Sequence, residues 1–419
     1  MRLLIREEAG SAEFLTEENL LKISQFALEE HPSATQLPAK IESAKCLVNM
    51  IFKTPALADA MIKLQLHFKI LQNLNPKTDE GYLFPQLRIL FLLSRPVGDS
   101  DIYRKLADHG AIEKLYQILK FYIDDNPQFP DPRHYFILKE VLQLLFNLTI
   151  GMGSLNSKPN EPMDYQTYVP NYEEVVGSLL RVFGIPLESP SACPQLFDLK
   201  NCCLNCFVNI PLDYYRILVV LGDQTATLKS LFDLLEWEIR SDGGSEKKSI
   251  VTIFMVVQYL LSKEPDARPY AMTRLFPGRN LETEREESEK KGESINMDAI
   301  NKDADTVGNM IIKYMSSMNM AIKFVANELL FSLVGENADD FVRLTGFGNA
   351  AGLLAMRNLF GMGKHLNRDT ATEMREEKKK KMPDLVPARE GETEEEKEQR
   401  TMENIEKMVE SGMIQLVKK

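Results

Sequence analysis

Several things are scarce in this chain, and each scarcity removes a class of protein. Five cysteines in 419 residues are too few for a disulfide framework, and their number is odd. A reducing compartment is therefore expected. Positive charge is in the minority, with 50 Lys and Arg against 61 Asp and Glu, a net of −11. A general nucleic-acid binder needs a basic footprint, so no nucleic-acid partner is expected. Long apolar runs are missing too. The longest, Ile250 to Leu261, contains Gln258 and falls short of the roughly 20 residues that span a bilayer. The first ten residues turn charged too early for a signal peptide. A cytoplasmic protein without a membrane span is the expectation. Enzyme motifs are absent as well: there is no Gly-x-x-x-x-Gly-Lys, no His-Glu-x-x-His and no Gly-x-Ser-x-Gly. The five histidines, His31, His67, His109, His134 and His365, are scattered and read as surface or capping residues. Cys202, Cys203 and Cys206, with Cys193 as a conceivable fourth ligand, are the only cysteine cluster. The trio sits in an apolar helical stretch, where cysteine behaves as a small hydrophobe. No catalytic residue, cofactor or metal is expected.

What is present is helical periodicity. Apolar residues recur at i, i+3 and i+4 through most of the chain between about residues 11 and 360, with Pro and Gly punctuating the blocks. Five segments superpose without gaps: 45–51, 88–94, 143–149, 205–211 and 327–333, and 254–260 fits more loosely. Their spacing matches or exceeds the ~40–47 residues of armadillo and HEAT repeats. The stretch 110–119, a turn Gly followed by Ile and Leu at helical spacing, looks like an armadillo second helix. The fold expected is all-α, an armadillo/HEAT-like right-handed superhelix in which each helix pair buries its apolar face only against its neighbours.

Polar residues interrupt these segments at two places. Position one reads Lys45, Arg88, Gln143, Asn205, Phe254 and Asn327; position five reads Asn49, Leu92, Asn147, Asn209, Gln258 and Phe331. The two positions lie one turn apart on one face. Amides on an otherwise apolar face are costly unless they are partnered. Two readings stay open here: a concave groove that takes another protein's backbone, or ladders that tie neighbouring repeats together.

Residues 279–299 are charged and mixed in sign, and read as a solvated loop. The repeat domain is expected over 1–362, with a flexible linker over 363–391, where Lys378–Lys381, Pro383 and Pro387 give linker composition. A C-terminal amphipathic helix follows over 392–419. Thr393 to Glu396 forms a capping box, and Met402, Ile405, Met408 and Val409 share one face.

Arg88 to Ser94, Glu140 to Thr149 and, most specifically, Thr345-Gly346-Phe347-Gly348-Asn349-Ala350-Ala351-Gly352-Leu353-Leu354 resemble the synembryn family, the resistance-to-inhibitors-of-cholinesterase proteins. Ala326 to Phe331 precedes that motif at the family's distance, and the acidic start of the tail helix is similar. The resemblance implies a chaperone and guanine-nucleotide exchange factor for heterotrimeric G protein alpha subunits, with no bond-making chemistry. It implies that the groove receives the alpha subunit's C-terminal helix and that the tail helix reaches the switch region. The groove residues would be Lys45, Asn49, Arg88, Phe91, Gln143, Asn147, Asn205 and Asn209; those of the tail would be Met402, Ile405, Met408 and Val409. A monomer is expected, associated with the membrane or cell cortex only through its client. Animal members carry an acidic Ser/Thr stretch after the Gly-Asn-Ala-Ala-Gly motif, whereas 364–382 is lysine-bearing here. Thr393, followed by three glutamates, is the candidate phosphosite, though its place as a helix cap speaks against modification.

The competing reading is a passive armadillo scaffold or adaptor without exchange activity. Importin-type grooves need a ladder of Trp with Asn, and the single Trp237 stands outside the aligned segments.

Overall fold

The computed structural model describes residues 12–28, 36–95, 102–124, 131–150, 172–210, 215, 224–240, 248–291 and 305–359. The linker and tail-helix expectations, with Thr393, Met402, Ile405, Met408 and Val409, lie outside the described residues.

No strand occurs among the described residues. In chain order the α-helices are α1 (Glu17–Ala27), α2 (Leu37–Lys53), α3 (Pro55–Lys63), α4 (Leu66–Asn73), α5 (Glu80–Leu93) and α6 (Ile102–Asp108). They continue with α7 (Ala111–Leu119), α8 (Tyr135–Thr149), α9 (Tyr172–Gly184), α10 (Pro194–Val208), α11 (Gln224–Arg240) and α12 (Lys248–Lys263). The series ends with α13 (Arg268–Leu275), α14 (Leu281–Lys291), α15 (Val307–Tyr314), α16 (Met320–Leu333), α17 (Ala338–Thr345) and α18 (Phe347–Met356). Local chemistry sets many of the starts. Thr16, Thr306, Asn319 and Asn337 accept backbone N–H groups of the first turn, which otherwise lack partners. Proline stands in the first turn of α2, α3, α10 and α13, where its missing N–H costs nothing. Gly110, at φ 78°, turns the chain into α7, as the armadillo-like stretch suggested.

The chain divides into two compact units. The larger takes Met1–Arg279 and Lys302–Gly335. In it, α2, α5, α8, α10, α12 and α16 pack one against the next in chain order. These six helices carry the six aligned segments. A second row covers them: α1 and α3 on α2, α4 on α5, α7 on α8, α9 on α10, α11 on α12 and α15 on α16. The apolar positions of the aligned segments, such as Leu47, Leu90, Leu145, Phe207, Val257 and Leu330, are buried between the rows. Each such side chain contributes about 1.5–3 kcal/mol on leaving water. The all-α solenoid expectation holds.

The smaller unit takes Asn280–Asn301 and Glu336–Lys419. Residues 281–291, expected as a loop, are helical. Mixed charge hid a well-started helix. The Asn280 side chain accepts the N–H groups of Glu282 and Thr283, and Glu282 and Glu284 lie in the first turn, where the helix dipole favours acids. Arg285 pairs with Asp340 of α17, which anchors α14 in its unit. The Thr345–Asn349 stretch forms the turn between α17 and α18. Gly346 takes φ 80°, ψ 147°, a conformation only glycine adopts without strain. Thr345 Oγ1 donates to Phe341 O, and Asn349 Nδ2 donates to Thr345 O. The signature motif is thus a helix-to-helix corner.

Candidate protein-binding groove

The face of α2, α5 and α8 opposite the second row opens into a groove of about 610 Å³. Position one of the aligned segments lies in it: Lys45, Arg88 and Gln143, joined by Asn49. Helical spacing brings further lining residues that the motif alignment passed over. Phe84 is four residues before Arg88, Lys139 four before Gln143, and Val48 three after Lys45. Continuing each helix by its i±3 and i±4 neighbours would have found them. Pro85, inside α5, leaves the Gly81 carbonyl without its helical N–H partner beside the groove.

The groove combines cations with aromatic rings. Phe136 is 60% exposed and meets Phe84 edge to face, with ring centroids 6.3 Å apart. Arg88 bonds Glu140 Oε1 at 2.8 Å and lies over the Phe91 ring at 5.2 Å. Phe91 is half-buried and carries Arg95 over its ring as well, at 5.5 Å. Glu140 is buried and its second oxygen has no protein partner. Burial pushes its carboxyl above the ordinary glutamate value, against the pull of Arg88. Lys139 bonds Asp198 at 2.8 Å, and Tyr135 donates to the same carboxylate at 2.6 Å. Burial works against the Lys139 charge, but the bonds to Asp198 and Tyr135 outweigh it and hold its pKa above the usual lysine value. Lys45 pairs with Glu42 at 2.9 Å, and Gln143 Oε1 is buried without a partner. Three ion-paired cations and two exposed or half-exposed rings suit a segment that brings both apolar side chains and polar ends.

Four of the expected groove residues, Phe91, Asn147, Asn205 and Asn209, do not line it. Asn147 is 5% exposed; its Nδ2 donates to Ser94 Oγ at 3.0 Å and to Phe91 O at 3.4 Å. Asn209 is 3% exposed; its Nδ2 donates to Phe146 O at 2.9 Å and to Thr149 Oγ1 at 3.1 Å. Asn147 and Asn209 each reach back to the fourth-position carbonyl and seventh-position hydroxyl of the preceding repeat, whereas Gln258, at the same position, donates forward to Ser332 Oγ at 3.2 Å. They are rungs between repeats, and the groove assignment for Asn147 and Asn209 is corrected accordingly. Asn205, one turn earlier on α10, is exposed but does not line the 610 Å³ groove. The cysteine trio is buried in α10. Burial pushes the Cys202 thiol up to about 12 and raises Cys203 and Cys206 well above the ordinary value. Such thiols pack as small apolar groups.

Among the described residues no group of three or more His, Cys, Asp or Glu is placed to hold a metal ion, and no helix is long and apolar enough to cross a membrane.

Known proteins resemble this chain along nearly all its length. Rat chaperone Ric-8B is 25% identical over 92% of this chain and 81% of its own. Mouse chaperone Ric-8A is 24% identical over 87% of this chain and 68% of its own. Chicken chaperone Ric-8A is 25% identical over 96% of this chain and 78% of its own. The solved structure of an engineered protein aligns with 75% of this chain at 13% identity and a TM-score of 0.43, too loosely to bear on the fold. The model of the family described as guanine nucleotide exchange factor synembryn matches residues 1–419. The chain belongs to the synembryn (Ric8) family of chaperones and guanine nucleotide exchange factors.

Proposed function

We propose that this protein is a chaperone and non-receptor exchange factor that binds GDP-loaded G protein alpha subunits, promotes GDP release and holds the nucleotide-free subunit until GTP binds. The observation that carries the reading is the groove across α2, α5 and α8, where Lys45, Arg88 and Lys139 stand beside Phe84 and Phe136. A protein's terminal helix ends in a carboxylate and bears an apolar stripe; cations take the one and rings the other. Seating that helix in the groove removes it from its place against the client's guanine pocket. By linkage, a binder that prefers the nucleotide-free client weakens nucleotide binding, and nucleotide weakens the binder in return. No proton transfer or nucleophile is needed. The tail residues Met402, Ile405, Met408 and Val409 are assigned to a second contact at the client's switch region, and Thr393 to a candidate phosphosite beside it. The protein acts as a monomer in the cytoplasm and reaches the cell cortex with its client.

The test follows release of a fluorescent GDP analogue from a purified alpha subunit. The full chain should accelerate release, and Lys45→Ala combined with Gln143→Ala should slow it while leaving the fold intact. An alpha subunit lacking its last dozen or so residues should neither bind nor respond; equal binding sinks the groove assignment. Binding without acceleration would identify a scaffold instead.

A further inference from the structure

A second cavity, of about 140 Å³, lies between the end of α9 and the facing sides of α10 and α11. Its most unusual wall residue is Lys200, which is 1% exposed. The Lys200 ammonium donates to the Phe183 carbonyl and, at 3.3 Å, to Ser230 Oγ. Among the described residues it forms no ion pair. An ammonium has three donors, so one has no acceptor among the described residues. A buried cation without a counter-ion is expensive, and burial pushes the amine down to about 8. At neutral pH it remains mostly charged.

The surrounding charges do not balance it. Asp233, on the cavity wall, already takes Lys229 at 2.8 Å on one oxygen and Arg274 at 2.7 Å on the other. Glu236 is shared between Arg240 at 2.9 Å and Arg274 at 3.5 Å, and Arg240 also bonds Asp305 at 3.0 Å, so three acids face Lys229, Arg240, Arg274 and Lys200. Lys200 is the surplus positive charge. The donors on the wall are Lys200, Lys229 and the Ser230 hydroxyl, and the one carboxylate there, Asp233, is already held by Lys229 and Arg274. The remaining wall is apolar, with Pro186, Leu187 and the chain's single tryptophan, Trp237. A volume of 140 Å³ equals that of roughly four or five liquid waters.

We propose that this cavity binds a small organic carboxylate, its charge against Lys200 and its short apolar body against Trp237, Pro186 and Leu187. A bound carboxylate supplies the missing counter-ion and occupies the third donor. The site lies in the α9–α11 region, outside the protein-binding groove, and does not depend on the exchange reading.

Trp237 makes the test direct, because its emission reports the cavity alone. The full chain is titrated with butyrate, with the uncharged isostere butyramide, and with chloride and inorganic phosphate. Butyrate should give a saturable change in emission. Butyramide should bind about tenfold more weakly or worse, as should butyrate to Lys200→Met, since a charge-assisted bond is lost in each case. No saturable response overturns the proposal, as does equal binding of butyramide or an unaffected Lys200→Met. Chloride or phosphate binding as tightly as butyrate overturns the carboxylate class. If Lys200→Met fails to fold by circular dichroism, Lys229→Ala decides: a severalfold weaker site is expected, and an unchanged one overturns the assignment.

Discussion

Replacing Asn209 by alanine isolates one rung of the solenoid. The side chain makes two bonds across the helix boundary, to Phe146 O at 2.9 Å and to Thr149 Oγ1 at 3.1 Å. Each is worth about 0.5–1.5 kcal/mol net, and stranding a buried acceptor costs more than the mean. Thr149 keeps its own bond to Leu145 O, so the hydroxyl stays partly served. The void left at a site only 3% exposed adds a packing loss. Together these give about 2–3 kcal/mol of lost stability. Asn205, four residues earlier and exposed, makes no such bond among the described residues, and Asn205→Ala should stay within about 0.5 kcal/mol of the parent. Urea unfolding followed by far-ultraviolet circular dichroism compares the two. Combining Asn209→Ala with Thr149→Val should show a coupling near 1 kcal/mol, as expected for groups in contact. Should Asn209→Ala unfold at the same urea concentration as Asn205→Ala, the rungs hold nothing and the inward reading of the amides is wrong.

Two further perturbations probe the packing and the acid response. A Cβ at Gly308 would stand 2.4 Å from atoms of the Phe276 ring. Gly308→Ala should therefore lower the melting temperature, the overpacking cost of about 1–3 kcal/mol exceeding alanine's helical advantage; an unchanged or raised value refutes the contact. His67 is buried at 2% exposure, with its ring 4.0 Å from that of Phe68. Burial, with His109 nearby, holds its pKa down at about 4 from 6.5. The unfolded chain binds this proton first, so stability is full above pH 6.5 and is lost as pH falls toward 4, by about 3 kcal/mol. Unfolding midpoints measured from pH 7 to 4 should fall less steeply for His67→Leu; parallel curves refute the assignment.

Much of the architecture could be read from the residues, and the reason is physical. The aligned segments landed on the six stacked helices because apolar periodicity records burial on both sides of an inner row. The rungs were not separable in the same way. Positions one and five share a face only approximately: four residues advance a helix by a full turn and about 40° more. Arg88 and Gln143 stand on the open side and Asn147 and Asn209 reach the preceding aligned helix, whereas Asn49, with no earlier aligned segment to meet, stays in the groove beside Lys45. An amide tolerates either environment, so its type does not reveal which one it has. The helix at Leu281–Lys291 was missed because its support comes from a cap at Asn280 and an ion pair with Asp340, while its own faces carry no apolar stripe. Lys200 gave no sign either, since a lysine in an apolar helix reads as a surface residue until its neighbours are placed.

The backward reach of Asn147 and Asn209 gives this part of the array a polarity during synthesis. As the chain leaves the ribosome, the Ser94 and Phe91 acceptors wait for Asn147, and the Thr149 and Phe146 acceptors wait for Asn209, more than fifty residues later in each case. An intermediate that ends between α5 and α8, or between α8 and α10, therefore carries an unfinished seam that only the following aligned helix closes. A chain halted between two such seams should be sticky at its growing end and quiet at its start, and a protein that assists the folding of others would itself pass through a sequence of exposed edges before it is ready to do so.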